Sequence, residues 1–94
     1  MVYLYHFDKP YRGRAQHYLG STNDLRRRHH EHMTGRGSPL IKAALSSGIQ
    51  MLLFPLYPDE GFELERAIKW QKNSRRICPI CNPLPNEKRS PTSW

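Results

Sequence analysis

Near the start of the chain, Val2-Tyr3-Leu4-Tyr5-His6-Phe7 is a β-branched and aromatic run with no charged residue. A strand built from it is apolar on both faces and reads as the central strand of a sheet. That is a large demand on 94 residues. A chain this short makes one domain and buries only about 60–65% of the surface its unfolded form exposes.

The neighbours of this strand follow from local chemistry. Asp8 to Arg14 carries the Pro and Gly of a loop. Ala15 to Gly20 reads as a second strand. A hairpin centred in that loop sets Tyr3 against Tyr18, within one residue. Ser21 to Asp24 offers capping side chains for a helix over Leu25 to Met33, which Gly35 and Gly37 end. Ser38-Pro39 is a cap with Pro at the first helical position. The helix it opens carries Leu40, Ile41, Ala43, Ala44 and Leu45, and Gly48 stops it. Ile49 to Tyr57 is a third strand, with Pro55 marking an edge or a bulge. A third helix runs from about Phe62 to Asn73, with Leu64, Ala67, Ile68 and Gln71 as its buried stripe. The order β-β-α-α-β-α predicts an α+β fold: a small three-stranded antiparallel sheet flanked by helices. Residues 1–83 form the domain, and 84–94 have the composition of a flexible tail.

Charge narrows the function classes. Fifteen Lys and Arg against eight Asp and Glu give a net charge of +7, which suits a polyanionic partner, nucleic acid first of all. No apolar run approaches the ~20 residues of a membrane span, and no signal peptide is legible. A cytoplasmic protein is the expectation. Two cysteines cannot make a disulfide scaffold.

The first helix is unusual. Its stripe at positions 25, 28, 29 and 32 faces the core by spacing, yet reads Leu25, Arg28, His29 and His32. Cations on an inner border cost free energy unless they serve a purpose; the bland alternative is a solvated basic face with outward side chains. In the third helix Glu65 borders the buried stripe, about 100° round from Leu64. An ordinary i, i+4 pair with Lys69 would account for it.

Together these residues resemble the core of the GIY-YIG endonucleases. Val2-Tyr3 stands for the first motif and Tyr18-Leu19-Gly20 for the second. Arg28 follows Tyr18 by ten positions and His32 follows Arg28 by four. Leu64-Glu65-Arg66-Ala67-Ile68-Lys69 is similar to the helix that supplies the family's metal-binding Glu. The likeness spans roughly residues 2 to 82. Compact stand-alone bacterial and phage members end in a similar Lys72–Arg76 and Cys78–Cys81 stretch. The first motif lacks its leading Gly, and Leu19 replaces Ile. Asn73 or Asn82 would fill the family's Asn position.

The resemblance implies a Mg²⁺- or Mn²⁺-dependent DNA endonuclease. Glu65 would hold the ion and Arg28 would grip a non-bridging phosphate oxygen. Tyr3 would serve as general base or proton relay, its pKa lowered by Arg28, the ion or His32. His32 would accept that proton or act as base, and Tyr18 would position phosphate or nucleophile. Arg12, Arg14, Arg26, Arg27 and Arg36 would contact the DNA backbone.

Two other readings use the same residues. Cys78-x-x-Cys81 is half of a tetrahedral zinc site, and His29-x-x-His32 offers a second half. That would make a zinc-binding nucleic-acid module, although a lone Cys-x-x-Cys is more often a pair of reduced thiols in a turn. A non-catalytic DNA-binding domain on the same fold is the third reading.

Overall fold

The computed structural model describes residues 1–71, 74–83 and 90–92. The chain forms β1 (Val2–Tyr11), β2 (Ala15–Ser21), α1 (Leu25–Met33), α2 (Pro39–Ser46), β3 (Met51–Tyr57), α3 (Phe62–Gln71) and α4 (Ser74–Ile77). The three strands are antiparallel in the order β2-β1-β3. The expected α+β architecture is present, with β1 in the centre and one short helix, α4, in addition.

Strand alternation divides the core. Tyr3, Tyr5 and Phe7 face one way, where they pack with Leu25 of α1, Ile41 and Ala44 of α2, Ile49 and Leu53. Val2 and Leu4 face the other way, with Leu19, Phe54, Leu56, Ile68 of α3 and Cys78. The small sheet therefore has α1 and α2 on one face, and α3 with the C-terminal turn on the other.

The hairpin differs from expectation. Tyr5, not Tyr3, lies opposite Tyr18, and Tyr3 lies opposite Gly20. The residues expected as a loop, Asp8 to Tyr11, continue β1, and the chain reverses only at Arg12 and Gly13 (φ 53° and 70°). Consecutive left-handed residues match the turns that join twisted antiparallel strands. The Arg14 N–H closes the turn on the Tyr11 carbonyl at 3.1 Å. The register slips by two residues, which preserves faces where a slip of one would invert them. Tyr3 and Tyr18 remain diagonal neighbours, ring centroids 6.3 Å apart.

Both predicted caps form. The Asp24 side chain accepts from the Arg27 N–H, and the Ser38 hydroxyl accepts from the Leu40 and Ile41 N–H groups. Gly48, at φ 80°, ends α2, and β3 starts at Met51 rather than Ile49. Pro55 sits on edge strand β3 at a register shift, so it is both edge and bulge. Helix α3 is rotated from its expected setting. Leu64 and Ile68 turn inward, but Ala67 and Gln71 are exposed. The same rotation carries Glu65 toward the sheet, leaving its side chain 12% exposed. Of the tail, the Thr92 N–H donates to the Leu53 carbonyl at 2.8 Å. Asn73, one candidate for the family Asn, lies outside the described residues. No helix among the described residues is long and apolar enough to cross a membrane.

Leu4 is fully buried in the central strand. Leu4→Ala is expected to destabilise the fold by about 2–5 kcal/mol, measured by denaturant unfolding; a loss below about 1 kcal/mol would contradict its place in the core.

Candidate functional site

On the α1 face, Tyr3 is the centre of a hydrogen-bonded group. Its phenol oxygen lies 2.9 Å from Nε2 of His32. The other His32 nitrogen, Nδ1, accepts the Ser38 backbone N–H at 3.1 Å. An imidazole nitrogen that accepts holds no proton, so neutral His32 carries its hydrogen on Nε2 and donates to Tyr3. Ser38 thus caps α2 with its hydroxyl and sets the His32 tautomer with its backbone.

Two glycines make this contact possible. A Cβ on Gly20 would lie 2.5 Å from the Tyr3 oxygen, and one on Gly37 would lie 2.1 Å from His32 Nδ1. The Gly of Tyr18-Leu19-Gly20 is therefore a steric requirement of the phenol above it. Tyr5 and His29 add a parallel pair, Oη to Nδ1 at 2.7 Å. The His32 ring meets Tyr5 and Tyr18 edge-on, at 5.5 and 5.3 Å between centroids.

Burial sets the proton affinities here. It lowers His32 to about 4, assisted by the charges of Arg28 and His29 and opposed by Glu31. It pushes Tyr3 up to about 12; Arg28 beside the phenol pulls the other way, while Tyr18 and Glu65 add to the rise. The expectation that neighbours lower the Tyr3 pKa is thus reversed in the resting site, because desolvation outweighs the guanidinium. Tyr5 is raised by burial as well. Both buried tyrosines are neutral phenols at pH 7.

Arg28 is half-buried, with Nη1 3.4 Å from Glu31. Glu65 comes from α3, and its Oε2 lies 3.3 Å from Lys69 Nζ. Lys69 also stands 5.5 Å from the centroid of the Tyr18 ring. An open groove beside them is lined by Arg14, Tyr18, Leu40, Lys69 and Arg75. Arg12, Arg14, Arg26, Arg27 and Arg36 are all exposed.

Tyr3, Tyr18, Arg28 and His32 are neighbours, from β1, β2 and α1; Glu65, on α3, acts on Tyr3 through its charge. Sequence reasoning did not single out Tyr5, the Ser38 N–H or Arg75, and it read Gly37 only as a helix end; the i, i+4 pair with Lys69 that it offered as the ordinary account of Glu65 does form. Tyr5 was legible by its two-residue offset from Tyr3, but the backbone donor and the close approach at Gly37 leave no sequence signal.

The opposite face of the hairpin holds a second cluster. His6 and His17 are cross-strand partners, with Nδ1 of His6 3.4 Å from Nε2 of His17. The Cys78 sulfur lies 3.4 Å from His6 Nδ1, and the Cys81 sulfur 3.8 Å from the same atom and 3.3 Å from His17 Nε2. Among the described residues this is the one group of three or more such side chains whose ligand atoms all lie within 4.8 Å of one another, and it could hold a metal ion. His29 and His32, which the zinc-module reading offered as partners for the cysteines, are across the sheet on Tyr5 and Tyr3. The reason is strand alternation, which sends His6 away from the tyrosine face.

Comparison with protein-family models, curated proteins and solved structures gave no match.

The geometry makes a direct prediction for His32. In heteronuclear NMR its ring should stay neutral down to about pH 4, with the proton on Nε2. The unfolded chain, titrating near 6.5, binds the proton first, so this group's contribution to stability is complete above that pH and falls toward pH 4. Gly20→Ala should abolish the protected Nε2–H signal while the sheet amides persist. A proton on Nδ1, or an unchanged signal in Gly20→Ala, would contradict the arrangement.

Proposed function

We propose that this chain is a divalent-metal-dependent DNA endonuclease of the GIY-YIG type. The observation that carries the reading is the Tyr3 phenol. His32 pins it at 2.9 Å, Arg28 stands beside it, and the charge of Glu65 reaches it from another element. Tyr3 fills core space as well, but its phenol oxygen meets a histidine and a guanidinium, groups that packing alone does not require. Phosphodiester hydrolysis needs a proton acceptor, a cation for the phosphate and an anchor for a metal ion.

The reaction adds water to phosphorus and breaks one P–O ester bond, giving an alcohol and a phosphate monoester. Arg28 holds a non-bridging oxygen by charge-assisted hydrogen bonds. Tyr18, at the edge of the groove, orients the phosphate. Tyr3 takes the proton of the attacking water, directly or as a relay. The Nε2–H of His32 aims at the phenol oxygen and stabilises the negative charge that develops there. His32 is thus a positioning donor rather than the base. Lys69 and the exposed arginines bring the DNA backbone into the groove.

Glu65 suits Mg²⁺ or Mn²⁺: a hard ion takes one or two carboxylates and fills its remaining positions with water and phosphate oxygens. Glu65 is largely shielded, and Lys69 engages one of its oxygens. When bound there, the ion would neutralise charge on the phosphate and the leaving oxygen. The His/Cys cluster favours a second reading, a metal-stabilised nucleic-acid-binding module without catalysis.

Cleavage assays separate the two. Labelled single-stranded, duplex and branched DNA would be incubated with Mg²⁺ or Mn²⁺ and the wild-type, Glu65→Ala or Arg28→Ala protein. Glu65→Ala should abolish cutting but retain DNA binding. Arg28→Ala should lower kcat by about 100-fold or more, with a smaller change in affinity. Binding without cutting under either metal would favour the non-catalytic module.

A further inference from the structure

We propose that His6, His17, Cys78 and Cys81 bind one Zn²⁺ ion in a closed tetrahedral site that clamps the C-terminal turn to the β1–β2 hairpin. The inference is independent of the nuclease reading.

Geometry is the first argument. With Zn–N near 2.05 Å and Zn–S near 2.3 Å, a tetrahedral site has N···N edges of about 3.3 Å and S···N edges of about 3.6 Å. The observed N···N distance is 3.4 Å, and three S···N distances run from 3.3 to 3.8 Å. Four of the six edges thus match a zinc tetrahedron, and all four ligand atoms lie within 4.8 Å of one another.

Hydrogen bonding is the competing account, and it fails on valence. His17 and both cysteine sulfurs converge on Nδ1 of His6. An uncharged imidazole nitrogen offers either one lone pair in the ring plane or one N–H. It can serve one of the three neighbours well, whereas a cation at the centre serves all four ligands together. Two thiolates and two imidazoles select zinc over magnesium or manganese, which prefer oxygen.

The fold supplies the ligands in an organised way. Cys78 is fully buried and His6 nearly so. The turn that carries both cysteines is braced by the Asn82 N–H on the Cys78 carbonyl at 2.9 Å and by the Asn82 side chain on the Arg76 carbonyl at 2.8 Å. His6 and Cys78 are 72 positions apart, so one ion ties the first strand to the C-terminal turn. Small domains with little core commonly use such a staple. Four protein ligands leave no open position for water, so this zinc is structural. Its mechanical effect falls on the C-terminal side of α3, the helix that carries Glu65 and Lys69 to Tyr18.

The test uses the full chain. Protein purified without chelator should contain about one zinc per chain by elemental analysis. After chelator treatment, added Zn²⁺ should raise Tm and added Mg²⁺ should not. Co²⁺ in place of zinc should give the thiolate charge-transfer and tetrahedral d–d absorption bands. Cys81→Ser and His17→Gln should each lose stoichiometric zinc and the cobalt spectrum, while the control His30→Gln, at an exposed position, keeps both. If either variant fails to fold, the wild-type titrations decide. Sub-stoichiometric zinc with no Zn²⁺-specific rise in Tm would overturn the proposal, as would full zinc occupancy in both variants.

Discussion

The structure depends on β1 being buried on both faces. A central strand of alternating aromatic and aliphatic residues requires cover above and below, and this chain provides it with two helices on one face and α3 plus a turn on the other. Alternation then sorts the chemistry. Odd positions Tyr3 and Tyr5 meet the histidines of α1. Even position His6 meets the cysteines. Two polar sites are thus built back to back on one strand, each within a hydrophobic cluster.

Burial gives the tyrosine face its character. Desolvation is the largest influence on Tyr3, Tyr5 and His32, and it favours the neutral form of each. A phenol at about 12 is a dormant base. The groups that favour its anion are already in place: Arg28 next to the ring and the His32 Nε2–H on the oxygen. Added positive charge on the carboxylate side would remove the opposition of Glu65. A divalent ion on Glu65, as proposed, would supply that charge.

Much of this was legible in the sequence, for identifiable reasons. The central strand, both helix caps and the Arg28–His32 stripe rest on local composition and helical spacing, and they emerge as expected. The hairpin register did not, because Asp8-Lys9-Pro10 looks like loop while the reversal waits for Arg12-Gly13. The error of two residues left the faces intact, so Tyr3 and Tyr18 are still neighbours. The rotation of α3 depends on packing against a narrow sheet, which periodicity alone does not reveal. Cys78-x-x-Cys81 offered half of a candidate metal site, against the commoner reading of reduced thiols in a turn. Its other half was hidden because His6 sits inside an apolar strand and His17 within the next one, far from the cysteines in sequence and with no shared motif.

The proposed role of Tyr3 is to take the proton of the attacking water. The most direct measurement is the single-turnover rate of DNA cleavage against pH, at saturating Mg²⁺ or Mn²⁺, for wild type and Tyr3→Phe. The account predicts a wild-type rate that climbs with pH as the phenol becomes easier to deprotonate, and a much slower variant that lacks this climb. Superimposable profiles for the two proteins would contradict it.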